Sequence, residues 1–410
     1  MSADKSPGKD GIPTKVYKAL KGKVLQAFHI VLTSIWEEED MPPELRDAPI
    51  VALYKNKGSR AACDNYRGIL LLSTAGKILT PVMLNRLLSS VSEKNLPESQ
   101  CGFQPDRSTF DMVFTVRQMQ KKCLEQNLSL YIVFIDLTKA FDTVNRDSLW
   151  VILSKLGCPA KFVKLIQLFH VDMTGEVLSG GETSDRFNIS NVKQGCVLAL
   201  VLFNLFFTQV LQHAVMDLDL GIYIKYRLDG SLFDLHRLTT KTKTTERLIL
   251  EALFADDGAL MAHQENHLQT IVDRFSTTTK LFGLTISLSK TEVLFQPAPG
   301  RPMNQPRITI DGTQLSNVNT FKYLGSTIAN DGSLDHEINA RIQKASQALG
   351  QLCCKVLQHS GVSTATKLKV YNAGVLSSLL YGCETWTPYR KHMKQLEQFH
   401  QRSLRSIMRI

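Results

Sequence analysis

Three aspartates stand where this chain could carry out metal-ion chemistry. Two are adjacent, Asp256-Asp257, inside the run Leu250-Glu-Ala-Leu-Phe-Ala-Asp-Asp-Gly-Ala-Leu-Met-Ala262. The third, Asp136, ends the apolar run Leu130-Tyr-Ile-Val-Phe-Ile-Asp136. Neighbouring carboxylates repel, and no Lys or Arg lies within residues 250–262 to neutralise the pair. Such a cluster is stable when fully wet, or when a hard, oxygen-seeking cation such as magnesium binds there. Carboxylates presented at the ends of two strands are what two-metal phosphoryl or nucleotidyl transfer requires. The plain alternative is a solvated hairpin, because Asp-Gly turns are common.

The elements that must position these groups follow from periodicity. Leu250, Ala252, Phe254 and Asp256 alternate with period two, so one strand face ends in a carboxylate. Asp257-Gly258 is expected to turn the chain, with residues 259–262 as the returning strand. Residues 130–136, rich in β-branched and aromatic side chains, predict a second strand.

Around these two stretches lies an ordered series of further motifs. Phe134-x-Asp136-x-x-x-Ala140-Phe141-Asp142 comes first, then Gln194-Gly-Cys-Val-Leu198 with Leu202-Phe-Asn204, then Phe254-Ala-Asp-Asp257. Taken together they resemble a reverse transcriptase. Ser6-Pro-Gly-Lys-Asp-Gly-Ile-Pro13, Asn65-Tyr-Arg-Gly-Ile69, Gln100-Cys-Gly-Phe-Gln104, Leu288-x-Lys290-Thr291 and Phe321-Lys-Tyr-Leu-Gly325 extend the match. The fuller set is similar to the non-LTR (LINE-type) retrotransposon reverse transcriptases, over nearly the whole chain.

The resemblance implies an α/β (α+β) right-hand polymerase. Fingers, in part, would occupy residues 1–100. A palm with the remaining fingers elements and the primer grip would occupy 101–330, and a helical thumb 331–410. It implies RNA-directed DNA polymerase activity, with Asp136, Asp256 and Asp257 as the catalytic carboxylates and Lys290 as a general acid near the leaving pyrophosphate. Asp136, Leu137, Asp256 and Asp257 form the implied metal set, for two Mg²⁺ ions with Mn²⁺ as a substitute. Lys55, Arg67, Leu137, Phe141, Gln194 and Gly195 form the implied nucleotide set, in which Phe141 is a steric gate against the ribose 2′-hydroxyl. Gln100, Phe103, Tyr323, Leu324, Gly325, Arg341 and Lys344 would meet nucleic acid. The implied partners are an RNA template, a DNA primer and dNTPs, with no membrane; nothing fixes the oligomeric state. The family's endonuclease and its Cys/His zinc knuckle have no counterpart in these residues, so the chain is expected to be a fragment.

Two rival readings remain open. One is a nucleic-acid-binding remnant without turnover, favoured by Ala199-Leu200 where the family usually has Ser-Pro. The other is an RNA-templated RNA polymerase, against which Ala255 and the aromatic Phe141 argue.

Composition sets the frame. With 43% hydrophobic and 21% charged residues, disorder is not the default. A net charge of +10 and a pI near 9.1 point to a polyanionic partner. Residues 335–410 hold eleven Lys/Arg against four Asp/Glu, and the apolar spacing there predicts helices with basic faces turned outward. Eight cysteines without a CxxC pair or a disulfide-like framework are read as reduced thiols of a nuclear or cytoplasmic, not secreted, protein. The apolar stretch from Cys196 to Val215 contains Asn204, Thr208, Gln209, Gln212 and His213, and is read as a buried helix rather than a membrane span. Thr14, Asp142, and Ser108 or Asp106 are the expected helix caps, and residues 225–250 the expected hairpin.

Overall fold

The computed structural model describes residues 7–56, 58–92, 95–179, 181–189, 192, 197–227 and 244–408. The motif residues Gln194 and Gly195 lie outside the described residues. The chain forms two compact units. The first comprises Met1–Gln104, Leu137–Met216 and Phe275–Ile286; the second comprises Pro105–Asp136, Asp217–Arg274 and Ser287–Ile410. The strands that bear on function are β1 (Ala48–Tyr54), β2 (Tyr66–Leu70), β3 (Leu130–Ile135), β4 (Thr174–Ser179), β5 (Glu251–Phe254), β6 (Asp257–Ala262), β7 (Glu292–Gln296), β8 (Ser316–Val318), β9 (Thr320–Tyr323) and β10 (Ser326–Ala329).

In the first unit, β1 pairs antiparallel with β2, from Ile50↔Leu70 to Tyr54↔Tyr66, and parallel with β4. Its core is the helix Val197–Val215, whose apolar window is 72% buried within the protein. Aromatic contacts carry the packing: Phe203 lies 4.6 Å from Phe141 and 5.7 Å from Phe207, and Phe207 meets Phe275 edge-on at 6.2 Å. The buried polar Asn204 donates its side-chain amide to the Gly102 carbonyl. That bond explains how an amide sits inside so apolar a helix. Ala199 is buried within the first turn of the same helix, so the place where the family carries Ser is here packed as core.

In the second unit, five strands form one sheet in the order β8-β7-β3-β6-β5. The β3 strand is central, pairing antiparallel with β6 on one side and β7 on the other. All its residues except Tyr131 are buried, which is why it reads as an unbroken apolar run rather than an alternating one. The hairpin β5–β6 turns two residues earlier than the sequence pattern suggests. Phe254 pairs with Asp257, so Ala255-Asp256 is the turn and Asp257 opens β6. Ala255 supplies the left-handed backbone, φ 57°. Gly258 lies inside the ladder opposite Ile135 and Leu253, where a Cβ would come within 3.3 Å of the Leu253 side chain. Glycine there gives close packing within the ladder and does not make the turn.

The hairpin β9–β10 and the C-terminal helices complete this unit. Ile338, Ala345, Leu357, Tyr371, Val375, Leu379, Leu396 and Ile407 form one apolar cluster drawn from helices Asp335–Leu352, Thr364–Tyr371 and Arg390–Met408 and the turns between them. The helical spacing seen in the sequence is this cluster. Strands Ile222–Arg227 and Thr244–Ile249 pair as expected for a hairpin, with its tip outside the described residues.

The caps correct two expectations. Asp142 ends a short 3₁₀ turn, Ala140–Asp142, and Asn145 caps the following helix by accepting the Ser148 N–H. Pro13, not Thr14, precedes the first short helix, and the Thr14 side chain is buried. At helix Thr109–Glu125 the cap is Ser108. Its Oγ accepts the Phe110 N–H at 3.2 Å, and Asp111 Oδ2 accepts the Ser108 N–H at 2.6 Å. Replacing Ser108 with Ala is expected to lower stability by about 1 kcal/mol in urea denaturation. An unchanged midpoint would show that the box is not holding this helix.

Candidate catalytic site

The three aspartates meet within the second unit. The register of β3 with β6 ends at the Gly258↔Ile135 pair, so one step further Asp136 and Asp257 stand across from each other. Asp256 occupies the adjoining turn. The consequence is electrostatic. Surrounding protein atoms, then the charges of Asp256 and Asp136, push the Asp257 carboxyl up to about 6, while Lys290 works in the opposite direction. Asp257 is nevertheless at the exposed tip of the hairpin, so an ion or substrate can reach it.

The neutralising cation comes from elsewhere in the chain. The Asp136 carbonyl accepts the Ser287 N–H at 2.8 Å, and the Ser287 carbonyl accepts the Lys290 N–H at 3.1 Å. This turn, anchored on the aspartate's own backbone, brings Lys290 Nζ to 3.1 and 3.3 Å from the two Asp136 carboxylate oxygens. The absence of Lys or Arg from residues 250–262 therefore does not leave the cluster bare. Among the described residues, no three His, Cys, Asp or Glu side chains are already disposed around a metal position. The donor set still suits magnesium. It consists of hard carboxylate oxygens crowded closely enough to raise one pKa, and a divalent cation would relieve that crowding. Leu137, the fourth member of the expected metal set, buries its side chain and bridges to Ile286, so only its backbone is available to a ligand.

The nucleotide set that is described lies in the first unit. Arg67 is exposed on β2 opposite Leu53. Lys55, also exposed, donates to the Asp64 carbonyl at 2.9 Å. Lys139, which the sequence reading passed over, comes within 3.4 Å of the Asp64 carboxylate from a left-handed position, φ 49°. Phe141 is half-buried, one side of its ring against Phe203. Asp142 beside it has its carboxyl pushed up by burial, an effect Lys139 and Lys55 oppose.

The expected nucleic-acid residues are placed unequally. Phe103 is 41% exposed with φ 53°. Gln100 is fully buried, its amide oxygen accepting the Gly102 N–H and thereby shaping the loop from within. Tyr323 is buried as well and donates its hydroxyl to Ala252 O of β5 at 3.0 Å. Leu324 and Gly325 form the two-residue turn of β9–β10, both with positive φ, 47° and 85°. Arg341 departs most from the sequence reading. It is 3% exposed and paired with the fully buried Glu337, Nε to Oε1 2.7 Å, so its guanidinium does not face solvent. Lys344 is half-buried, and burial together with Arg341 and Lys322 lowers its pKa. Lys367, also on the basic stretch, is buried, whereas Lys355, Lys369, Lys394, Arg402 and Arg405 are exposed. The signal for the buried pair was present in the sequence, as Glu and Arg four apart in the first turns of a helix.

The reverse transcriptase (RNA-dependent DNA polymerase) family profile matches residues 54–328, a span that contains every one of the three aspartates and Lys290. The chain belongs to this family. Its fold is therefore the α+β right-hand polymerase class. Among its relatives is the RNA-directed DNA polymerase from mobile element jockey of Drosophila melanogaster, 22% identical over 98% of this chain and 42% of that protein. The corresponding jockey protein of Drosophila funebris is 25% identical over 99% of this chain, again 42% of the relative. The chain thus spans about two fifths of the length of these relatives, and these matches place it among the non-LTR retrotransposon reverse transcriptases. Among solved structures, truncated apo telomerase from Candida tropicalis aligns over 73% of this chain and 57% of its own, at TM-score 0.43 and 14% identity.

The raised Asp257 carboxyl has a sign that can be checked. A folded pKa of about 6, above the ordinary value of 3.8, means the native state holds this proton more tightly than the unfolded chain. Stability from this group is present below pH 4 and is lost as pH rises through 6. In metal-free buffer, Asp257→Asn is expected to flatten the fall in melting temperature between pH 4.5 and 7 relative to the parent. Added Mg²⁺ should stabilise the parent more than the variant. Superimposable pH profiles would mean that Asp257 is not coupled to the other two carboxylates.

Proposed function

We propose that this chain is the polymerase core of an RNA-directed DNA polymerase, transferring dNMP from a dNTP to a primer 3′-hydroxyl on an RNA template. The observation that carries the reading is the convergence of Asp136, Asp256 and Asp257 at the ends of β3 and the β5–β6 hairpin, where burial and then the neighbouring carboxylates raise the Asp257 pKa. Two Mg²⁺ ions bound there would activate the 3′ oxygen and neutralise charge on the triphosphate and leaving group. The chain's own residues do the rest. The buried sheet fixes the carboxylates in direction, because β3 is held by ladders on both sides. Lys290 offers an ammonium beside Asp136, and its proposed role is to give a proton to departing pyrophosphate. For the nucleotide, the proposed contacts are Arg67 and Lys55 to phosphate oxygens and Phe141 to the sugar.

The turn Leu324–Gly325 is proposed to seat the primer 3′ end. It is tied to the aspartate strands by Tyr323 on Ala252 and by Phe321 stacked on Phe134, centroids 4.0 Å apart. In the vocabulary of the family, the five-stranded sheet is the palm and the helices after residue 331 the thumb. Their exposed Lys394, Arg402 and Arg405 would run along the nucleic-acid backbone.

Primer extension on a homopolymer RNA template, with dNTPs or rNTPs and with Mg²⁺ or EDTA, tests the proposal. Asp136→Ala and Asp256→Ala are each expected to abolish Mg²⁺-dependent extension while leaving the melting temperature unchanged or slightly raised, since a repulsive charge is removed. Near-normal synthesis by either variant would sink the assignment. For the sugar gate, Phe141→Val should raise rNTP use relative to dNTP. A variant that still extends with dNTPs at an unchanged ratio would assign Phe141 to the core around Phe203.

A further inference from the structure

Both carbonyls of the Leu324–Gly325 turn are engaged from the C-terminal helical region. Leu324 O accepts the Tyr381 hydroxyl at 3.0 Å. Gly325 O accepts from Arg341 Nη2 and, at 3.4 Å, from Lys344 Nζ. The guanidinium of Arg341 also lies over the Tyr381 ring, 4.6 Å from its centroid, so the two residues holding adjacent carbonyls hold each other. Glu337 closes the arrangement. One carboxylate oxygen takes Arg341 Nε at 2.7 Å and the other accepts the Thr327 N–H at 2.6 Å. The Thr327 carbonyl accepts Arg117 Nη2 at 3.1 Å.

A buried ion pair is a poor device for stability alone, because desolvation cancels most of its attraction and an apolar pair of equal volume packs as well. An apolar pair cannot, however, fix carbonyls in direction; a rigid guanidinium fork can. The turn also needs such fixing. Leu324 holds a left-handed backbone, φ 47°, which a leucine adopts only where its surroundings over-determine it. The base of the same hairpin is fastened to the aspartate-bearing sheet, through Tyr323 to Ala252 and Phe321 to Phe134. Held at its base and at its tip, the turn keeps a set distance from Asp136 and Asp256.

We propose that Glu337, Arg341 and Tyr381 are positioning residues for the primer 3′ end: they lock the Leu324–Gly325 turn to the catalytic sheet and touch no nucleic acid themselves. The inference rests on the reading of that turn as the primer seat. It replaces the view of Arg341 as a backbone-contacting cation with one in which its charge is spent internally. An error in turn position of an ångström would be felt at the 3′-hydroxyl as lost alignment, not as lost charge.

The test is steady-state primer extension by the 410-residue chain with three variants. Tyr381→Phe deletes only the hydroxyl on Leu324 O. The double variant Glu337→Gln with Arg341→Met removes both buried charges together, so neither is left unpaired. Gly325→Ala disturbs the turn itself, where φ is 85°. Tyr381→Phe and the double variant are expected to raise the KM for primer–template by about tenfold, with dNTP KM and the salt dependence of duplex binding unchanged. A merely structural role would lower the active fraction and leave the KM values alone. Arg341 acting as a phosphate contact would instead flatten the salt slope by about one phosphate in the double variant; either result overturns the proposal. If the double variant does not fold, Tyr381→Phe decides by the same readouts. If Gly325→Ala alone impairs primer use, the latch is wrong and the primer seat stands. If none of the folded variants alters primer use, the reading of the turn fails.

Discussion

Carboxylates that must stay together although they repel one another impose the main constraint on the second unit. Asp136, Asp256 and Asp257 end strands whose interiors are almost wholly buried, and the apolar ladders of β3 with β6 and β7 leave them no freedom to spread apart. Burial first, and that confinement second, raise the Asp257 carboxyl, and Lys290, returned over Asp136 by a turn hung on the same residue's carbonyl, is the partial offset. An apolar sheet thus stores electrostatic work that a bound divalent cation can recover.

Around this constraint the unit is built from contacts that transmit position. Phe134, two residues before Asp136, stacks on Phe321, and Ala252, four before Asp256, accepts the Tyr323 hydroxyl. The hairpin β9–β10 is therefore bonded to both aspartate-bearing strands before the C-terminal helices add the Glu337–Arg341 pair. The buried polar bonds that join these pieces are directional. That pattern favours one arrangement of the backbone over bulk stability.

Much of this was legible in the sequence, and the reasons differ by residue. The strands ending at Asp136 and Asp256, the buried helix Val197–Val215 and the amphipathic C-terminal helices announce themselves by period and composition, because burial of one face or both determines side-chain type. The turn of β5–β6 was displaced by two residues. Asp257-Gly258 has turn chemistry, but Gly258 packs close to Leu253 across the ladder, and Ala255 takes the left-handed position instead. Charged residues misled for a related reason. Composition shows that Arg341, Lys367 and Lys394 are basic, yet only tertiary partners decide that the first two are buried and the third is exposed. Gln100 likewise reads as a polar loop residue and proves to be the internal brace of its own loop.

The left-handed backbone at Ala255 bears on how this sequence can drift over generations. The residue is 3% exposed, performs no chemistry, and sits between Phe254 and Asp256 at φ 57°. A β-branched side chain has no comfortable conformation there, and a long one has no room. Glycine would relieve the strain while adding freedom to the turn that aims Asp256. At position 255, then, drift meets a backbone cost before any chemical one, lowest for residues that tolerate a positive φ.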